Sequence, residues 1–326
     1  MVNKIDKPKV KSARSSIGLS IRKVVLLLFA LFFIYLILPQ IGEFHVSFNI
    51  VRHAKVGWVV GAVVLSLLTY QFTVSTYLLI AKKKLYYFRT LLVQLASSFA
   101  NRLIPAGVGA IGINYRYLRK NDHSVSEASA VVAVNNTLGI VGHLILLGLV
   151  FNFVPLKDIK LHVSLPHIAT PIYWIIAGAI LVAIGVSALW AKKAGRNFDL
   201  KLINLFKNIA AYRGHPLRLL GAVVCMMAST SMSVLCLLLC AHSLGFNISF
   251  ISSLIILTFG IIGGAVVPTP GGLGGAEAGL FAGLLAYGAD RPEALAVALS
   301  YRFITYWFAL VYGLAAMVVA ERAGYL

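Results

Sequence analysis

Apolar runs that approach or exceed about 18 residues recur along the chain, and that is the length a helix needs to cross a hydrocarbon core about 30 Å thick. Inside lipid, backbone N–H and C=O groups must be satisfied by the chain itself, so such runs fold as spanning helices packed into a bundle. Composition agrees. Of the 326 residues, 60% are hydrophobic and only 12% are charged, where soluble domains carry about 25% charged residues. The runs leave no separate stretch of about 50 residues or more for a soluble domain. Residues 24–326 therefore read as one all-α integral membrane domain behind a basic tail, residues 1–23. The start of the chain resembles a signal peptide, but no small-residue cleavage site follows Pro39 and Gln40. It reads instead as the first spanning helix.

Six spanning helices are expected at about 24–38, 56–81, 126–154, 171–190, 217–241 and 292–320. Two further apolar stretches are broken by proline and glycine. The first, 90–104, meets Pro105, Gly107 and Gly109 and ends near Arg116 and Arg119. Its fifteen helical residues would reach about 22 Å, short of the core, so residues 90–118 read as a re-entrant hairpin. The second, 249–267, meets Pro268, Pro270, Gly271, Gly272 and Gly274 and resumes at 276–287.

A net charge of +19 could point to nucleic acid, but the basic residues lie in the loops between apolar runs, which is a membrane-topology signal. With the N-terminus in the cytoplasm, 22 of the 29 lysines and arginines fall inside and 5 outside, while Arg102 and Arg302 lie within the membrane. Both termini are thus expected in the cytoplasm, with the chain in the cytoplasmic membrane. No nucleic-acid partner is expected; the excess of cations suits anionic lipid headgroups. Trp58, Trp174 and Trp190 fall at span ends as an aromatic belt. Cys225, Cys236 and Cys240 share one apolar span without metal-ligand neighbours and read as ordinary helix residues.

The chain also repeats itself. Gly61, Ala62, Val63 and Val64 recur as Gly221, Ala222, Val223 and Val224. The Pro105–Gly109 break recurs at 270–274, and Glu127 and Ala128 recur as Glu293 and Ala294, all at offsets between 160 and 166. Each unit, about 24–154 and about 171–320, holds three spanning helices and one broken hairpin. Three crossings are an odd number, so the second unit is expected to be inverted relative to the first. Inverted repeats with discontinuous helices suggest a transporter with its site near the midplane.

Within that frame Arg302 is the most informative residue. A cation about ten residues into a span must face the interior and find a partner. Glu277, opening the half-helix after the glycine turn where the helix dipole favours a carboxylate, is the expected one. Two roles stay open for the pair: pinning the hairpin to the last helix, or holding a lipid phosphate that Glu277 helps release. Arg102, beside Asn101, is either a phosphate contact on the cytoplasmic side or a snorkelling interfacial arginine. Asn136 and His143 share a helix face at i and i+7 and are pathway candidates, although such groups also serve as inter-helix hydrogen bonds. Tyr306 flanks Arg302. The two glycine breaks can present backbone N–H groups to an anion. No HExxH, GxSxG or paired CxxC motif occurs, so neither an enzyme nor a metal or cofactor site is expected.

Two runs carry a resemblance. Residues 267–277, Val-Pro-Thr-Pro-Gly-Gly-Leu-Gly-Gly-Ala-Glu, are followed by residues 298–307, Ala-Leu-Ser-Tyr-Arg-Phe-Ile-Thr-Tyr-Trp. Together they resemble the C-terminal signature of the lysylphosphatidylglycerol synthase transmembrane family. Residues 101–109, Asn-Arg-Leu-Ile-Pro-Ala-Gly-Val-Gly, are similar to its first Pro-Gly hairpin. In multidomain relatives this module is the flippase half and a separate soluble domain transfers the amino acid. The resemblance therefore implies a stand-alone lipid translocator without the synthase domain, acting on an anionic or modified phospholipid or a related lipid. An accessory membrane subunit of a lipid-modifying enzyme or of a polyprenyl-lipid glycosyltransferase is the alternative. Lipid identity, energy coupling and oligomeric state are left open by these residues.

Overall fold

The computed structural model describes residues 51–104, 107–153, 216–267 and 269–326. These residues all lie in one unit of the chain, 47–326. The expected spans at 24–38 and 171–190, the basic tail, Trp174, Trp190, Pro105 and Pro268 fall outside the described residues.

The described residues are mostly helical, joined by turns and short connections, with no strand among them. In chain order the helices are α1 (Val56–Ile80), α2 (Tyr87–Leu103), α3 (Val108–Lys120), α4 (Val125–Phe153), α5 (Pro216–Ser243), α6 (Phe250–Val266), α7 (Gly275–Ala286), α8 (Arg291–Arg302) and α9 (Ala309–Arg322). A π-helical stretch, Phe303–Phe308, joins α8 to α9 into one 32-residue helix. Four described helices are long and apolar enough to cross a membrane: α1, α4, α5 and the α8–α9 helix. The expected boundaries for these four hold to within two residues.

Local chemistry explains where several helices start. Ser124 and Glu127 cap α4 reciprocally: the Glu127 backbone N–H donates to Ser124 Oγ at 3.2 Å, and the Ser124 N–H donates to Glu127 Oε2 at 3.0 Å. At the start of α8 the Asp290 N–H donates to Glu293 Oε2 at 3.3 Å. Ser249 Oγ caps α6 by accepting from the Ser252 N–H at 3.1 Å.

The two broken stretches fold as helical hairpins, α2–α3 and α6–α7. Their arms hold 17, 13, 17 and 12 residues. None exceeds about 26 Å at 1.5 Å per residue. At the second break Gly271, Gly272 and Gly274 all have positive φ, a region that L side chains rarely adopt. Small residues let the arms touch: a Cβ on Gly279 would lie 2.1 Å from Phe259 O, and one on Gly109 would lie 2.1 Å from Ala100 O.

Among the described helices the most extensive packing joins α1 to α5. Gly61 lies against Leu239, Gly221 lies against Leu79, and Ser229 Oγ donates to Thr69 O at 3.3 Å. Each step up one helix is a step down the other, so the two run antiparallel. Thr69 and Ser229 are 160 residues apart, and the same offset relates Gly61 to Gly221 and Leu79 to Leu239. The buried positions follow it too. Ala62, Ser66, Val74, Thr76, Tyr77 and Ile80 on α1 are matched by buried Ala222, Met226, Val234, Cys236, Leu237 and Cys240 on α5. The opposite faces stay apolar and exposed, at Val60 and Val64 and at Leu220 and Val224. That pattern suits a surface solvated by lipid tails.

Candidate functional site

The tips of the two hairpins meet against the π-helical stretch. Arg102, in the last turn of α2, donates from Nη1 to Ser98 O at 2.7 Å and from Nη2 to Thr305 O. Tyr306, the next residue after Thr305, is buried and donates its hydroxyl to Arg102 O at 3.3 Å. Gly271, in the second break, sits so close to the Tyr306 ring that a Cβ would lie 2.3 Å from Cε2. A π turn is often found at a functional position, and here it carries the groups that hold both hairpins.

Arg302 anchors the same junction. Its Nε donates to Glu277 Oε1 at 2.6 Å, its Nη2 donates to Gly271 O at 3.1 Å, and the guanidinium stacks 4.7 Å from the Tyr306 ring centroid. The other Glu277 oxygen accepts from the Gly274 N–H at 2.6 Å, at the start of α7. Both carboxylate oxygens are thus engaged, and the pair is mostly buried, 12% and 20% exposed at the side chains. The expected Glu277–Arg302 partnership is present, and it closes the glycine turn onto the last long helix.

Beside Arg102 lies a cavity of about 250 Å³ among α1, α2, α3 and α4. Its walls are strongly polar for the interior of an apolar bundle. Thr69 and Thr73 come from α1; Gln94, Ser97, Ser98, Asn101 and Arg102 from α2; Asn114 from α3; Asn135 and Asn136 from α4. Some of these groups are paired: Gln94 Nε2 donates to Asn114 Oδ1 at 2.6 Å, and Asn114 Nδ2 donates to Ala110 O at 2.9 Å. Others are not. Asn101 Oδ1 and Asn135 Oδ1 are buried and have no hydrogen-bond partner. Asn135 is 9% exposed and lies ten residues into α4, about 15 Å along its axis. Arg102 is the only charged side chain among the described residues of the wall.

The structure thus divides the sequence candidates. Arg302, Glu277, Tyr306, Arg102, Gly271 and Gly274 gather at the hairpin junction, and Asn101, Arg102 and Asn136 line the cavity. His143 goes elsewhere: its Nε2 is 3.1 Å from Thr258 Oγ1 on α6, two helical turns from Asn136. Gly107 has a positive φ at the start of α3, and Gly109 packs on α2. Gly272 packs against Gly264 of α6. Sequence reasoning passed over Gln94, Ser97, Ser98 and Asn114. The signal was present, since residues 94, 97, 98 and 101 form a polar stripe at helical spacing within an apolar stretch.

A family model, the lysylphosphatidylglycerol synthase TM region, matches residues 19–313. No curated protein matches the chain.

Proposed function

The chain belongs to the lysylphosphatidylglycerol synthase TM-region family, and from that premise we propose that it translocates a lipid across the membrane it spans. The observation that carries this reading is the polar cavity inside an otherwise apolar bundle, whose wall includes Arg102, the residue that also ties the first broken hairpin to the last long helix. A spanning bundle has no structural use for such a cavity, since buried polar groups without partners are destabilising in lipid. A translocator does, because a headgroup can pass through only if polar groups replace its water while the tails stay in the bilayer.

The repeat supports the same reading. In our interpretation the two halves are inverted copies related by a pseudo-two-fold axis through the Thr69–Ser229 contact. The reciprocity of Gly61 with Leu239 and Gly221 with Leu79 is what such an axis produces. The hairpins are then re-entrant, one from each face. The expected placement of both termini in the cytoplasm, with the protein in the cytoplasmic membrane, goes with this topology. Movement is a transport step and not bond-making chemistry.

The test is translocation of acyl-labelled fluorescent phosphatidylglycerol in proteoliposomes, read by dithionite quenching. Wild-type protein is expected to quench beyond the half-protected plateau of empty vesicles, and Arg102→Gln to slow that phase at least tenfold. Arg102 also ties α2 to the last helix, so Asn136→Leu, on the exposed rim of the cavity, serves as the second variant. Folded wild-type protein that leaves the plateau where empty vesicles have it, with every headgroup tried, would sink the reading and favour an accessory role beside a lipid-modifying enzyme.

A further inference from the structure

The polar cavity is lined by residues of the first half of the molecule. α2 and α6 have equal lengths, and aligning them end to end sets Gln94 opposite Leu257. Gly109 packs on the Ala100 carbonyl as Gly275 packs on the Gly263 carbonyl, and this pairing, one residue on from the sequence match of Gly109 with Gly274, sets Asn114 opposite Leu280. Aligning the capping pairs Ser124 with Glu127 and Asp290 with Glu293 sets Asn135 opposite Tyr301. Leu257, Leu280 and Tyr301 are all buried in the apolar core of the second half. The same architecture is thus built there without the amides, and their presence in the first half needs another explanation.

We infer that this cavity is a recognition site for a phosphate ester carrying a hydroxylated, amine-free group, the phosphate meeting Arg102 and the hydroxyls meeting Asn101 and Asn135. The inference rests on the translocator reading and names its substrate class. Two buried carbonyl oxygens without partners call for donors, which the hydroxyls of a polyol supply. The cation that the described wall residues supply, Arg102, calls for an anion. An aminoacyl or ethanolamine headgroup would bring an ammonium next to Arg102 with no carboxylate among the described wall residues to receive it.

The experiment compares labelled phosphatidylglycerol, phosphatidylethanolamine and lysyl-phosphatidylglycerol in the same proteoliposomes, with free glycerol 3-phosphate as a soluble competitor. Native mass spectrometry of the purified protein with each lipid gives an independent readout of binding. Phosphatidylglycerol is expected to move and to bind at least tenfold better than either amine-bearing lipid. Asn135→Leu, whose counterpart position is apolar, is expected to keep the fold and lose that preference. Should Asn135→Leu fail to fold, Asn101→Leu and the wild-type headgroup ratios carry the test. Equal movement of all three lipids, or fastest movement of the lysyl lipid, overturns this inference while leaving translocation standing. If no lipid moves, the translocator reading fails and the binding ratios judge the cavity by themselves: an undiminished affinity for amine-bearing lipids overturns it. Inhibition by millimolar glycerol 3-phosphate without lipid binding supports the same chemistry from a soluble source.

Discussion

At the scale of single residues, the Glu277–Arg302 pair carries the clearest consequence. Each partner is mostly buried, and each has other work: Glu277 accepts the Gly274 N–H and Arg302 donates to Gly271 O. Removing one partner of a buried pair leaves an uncompensated charge, which costs about 3 kcal/mol or more. Glu277→Gln or Arg302→Gln alone should therefore lower the thermal unfolding temperature in detergent markedly. The double variant should recover part of the loss, because no lone charge remains. Single variants that melt with the wild type would mean the pair does not hold the glycine turn. The missing partners of Asn101 Oδ1 and Asn135 Oδ1 matter at the same scale, since two buried acceptors lie on one cavity wall with no fold-building bond to make.

At the scale of elements, the hairpins depend on backbone contact. Gly279 meets the Phe259 carbonyl group, which cannot yield without shifting α6 as a whole. Gly279→Ala is expected to destabilise the protein by about 1–3 kcal/mol or more, as overpacking does in a close-packed interior. Gly139, on α4, has open space around its Cβ position, so Gly139→Ala should be neutral. Monodispersity and melting temperature of the two variants, purified side by side, separate these outcomes, and equal behaviour would show that the α6–α7 contact is looser than described. The break itself is built from what glycine and proline allow: three positive-φ residues in five, closed by Thr269 Oγ1 donating to Leu273 O at 2.8 Å.

At the scale of the whole molecule, the proposed inversion of the two halves makes a topological prediction. If the halves are inverted copies, the starts of α1 and α5 face opposite sides of the membrane. In a background without Cys225, Cys236 and Cys240, Gly57→Cys should react with a membrane-impermeant thiol reagent in intact cells. Leu217→Cys should react only after permeabilisation. Labelling of both from one side would exclude inversion of these two helices. Among the described residues the two halves also differ: the first lines a polar cavity, while Leu257, Leu280 and Tyr301 of the second lie in an apolar core.

Much of this was legible in the residues themselves. Hydrophobic length located α1, α4, α5 and the last long helix, because lipid forces backbone groups to pair within each segment and so makes a span a local property. Proline and glycine located both breaks, because restricted φ and missing Cβ atoms act where they stand. The need of a buried cation for a partner was enough to join Arg302 to Glu277 across 25 residues. What the residues alone did not reveal is the company they keep across distance. The Tyr306 hydroxyl on Arg102 O spans 204 residues of chain, and the departure of His143 to Thr258 on another helix spans 115. The cavity takes polar groups from four separate helices, and whether its acceptors find partners depends on how those helices lean together. Helix and break are decided by each segment against the bilayer; the cavity and its unpaired amides are decided by packing between segments, a sum of contacts that only the tertiary structure settles.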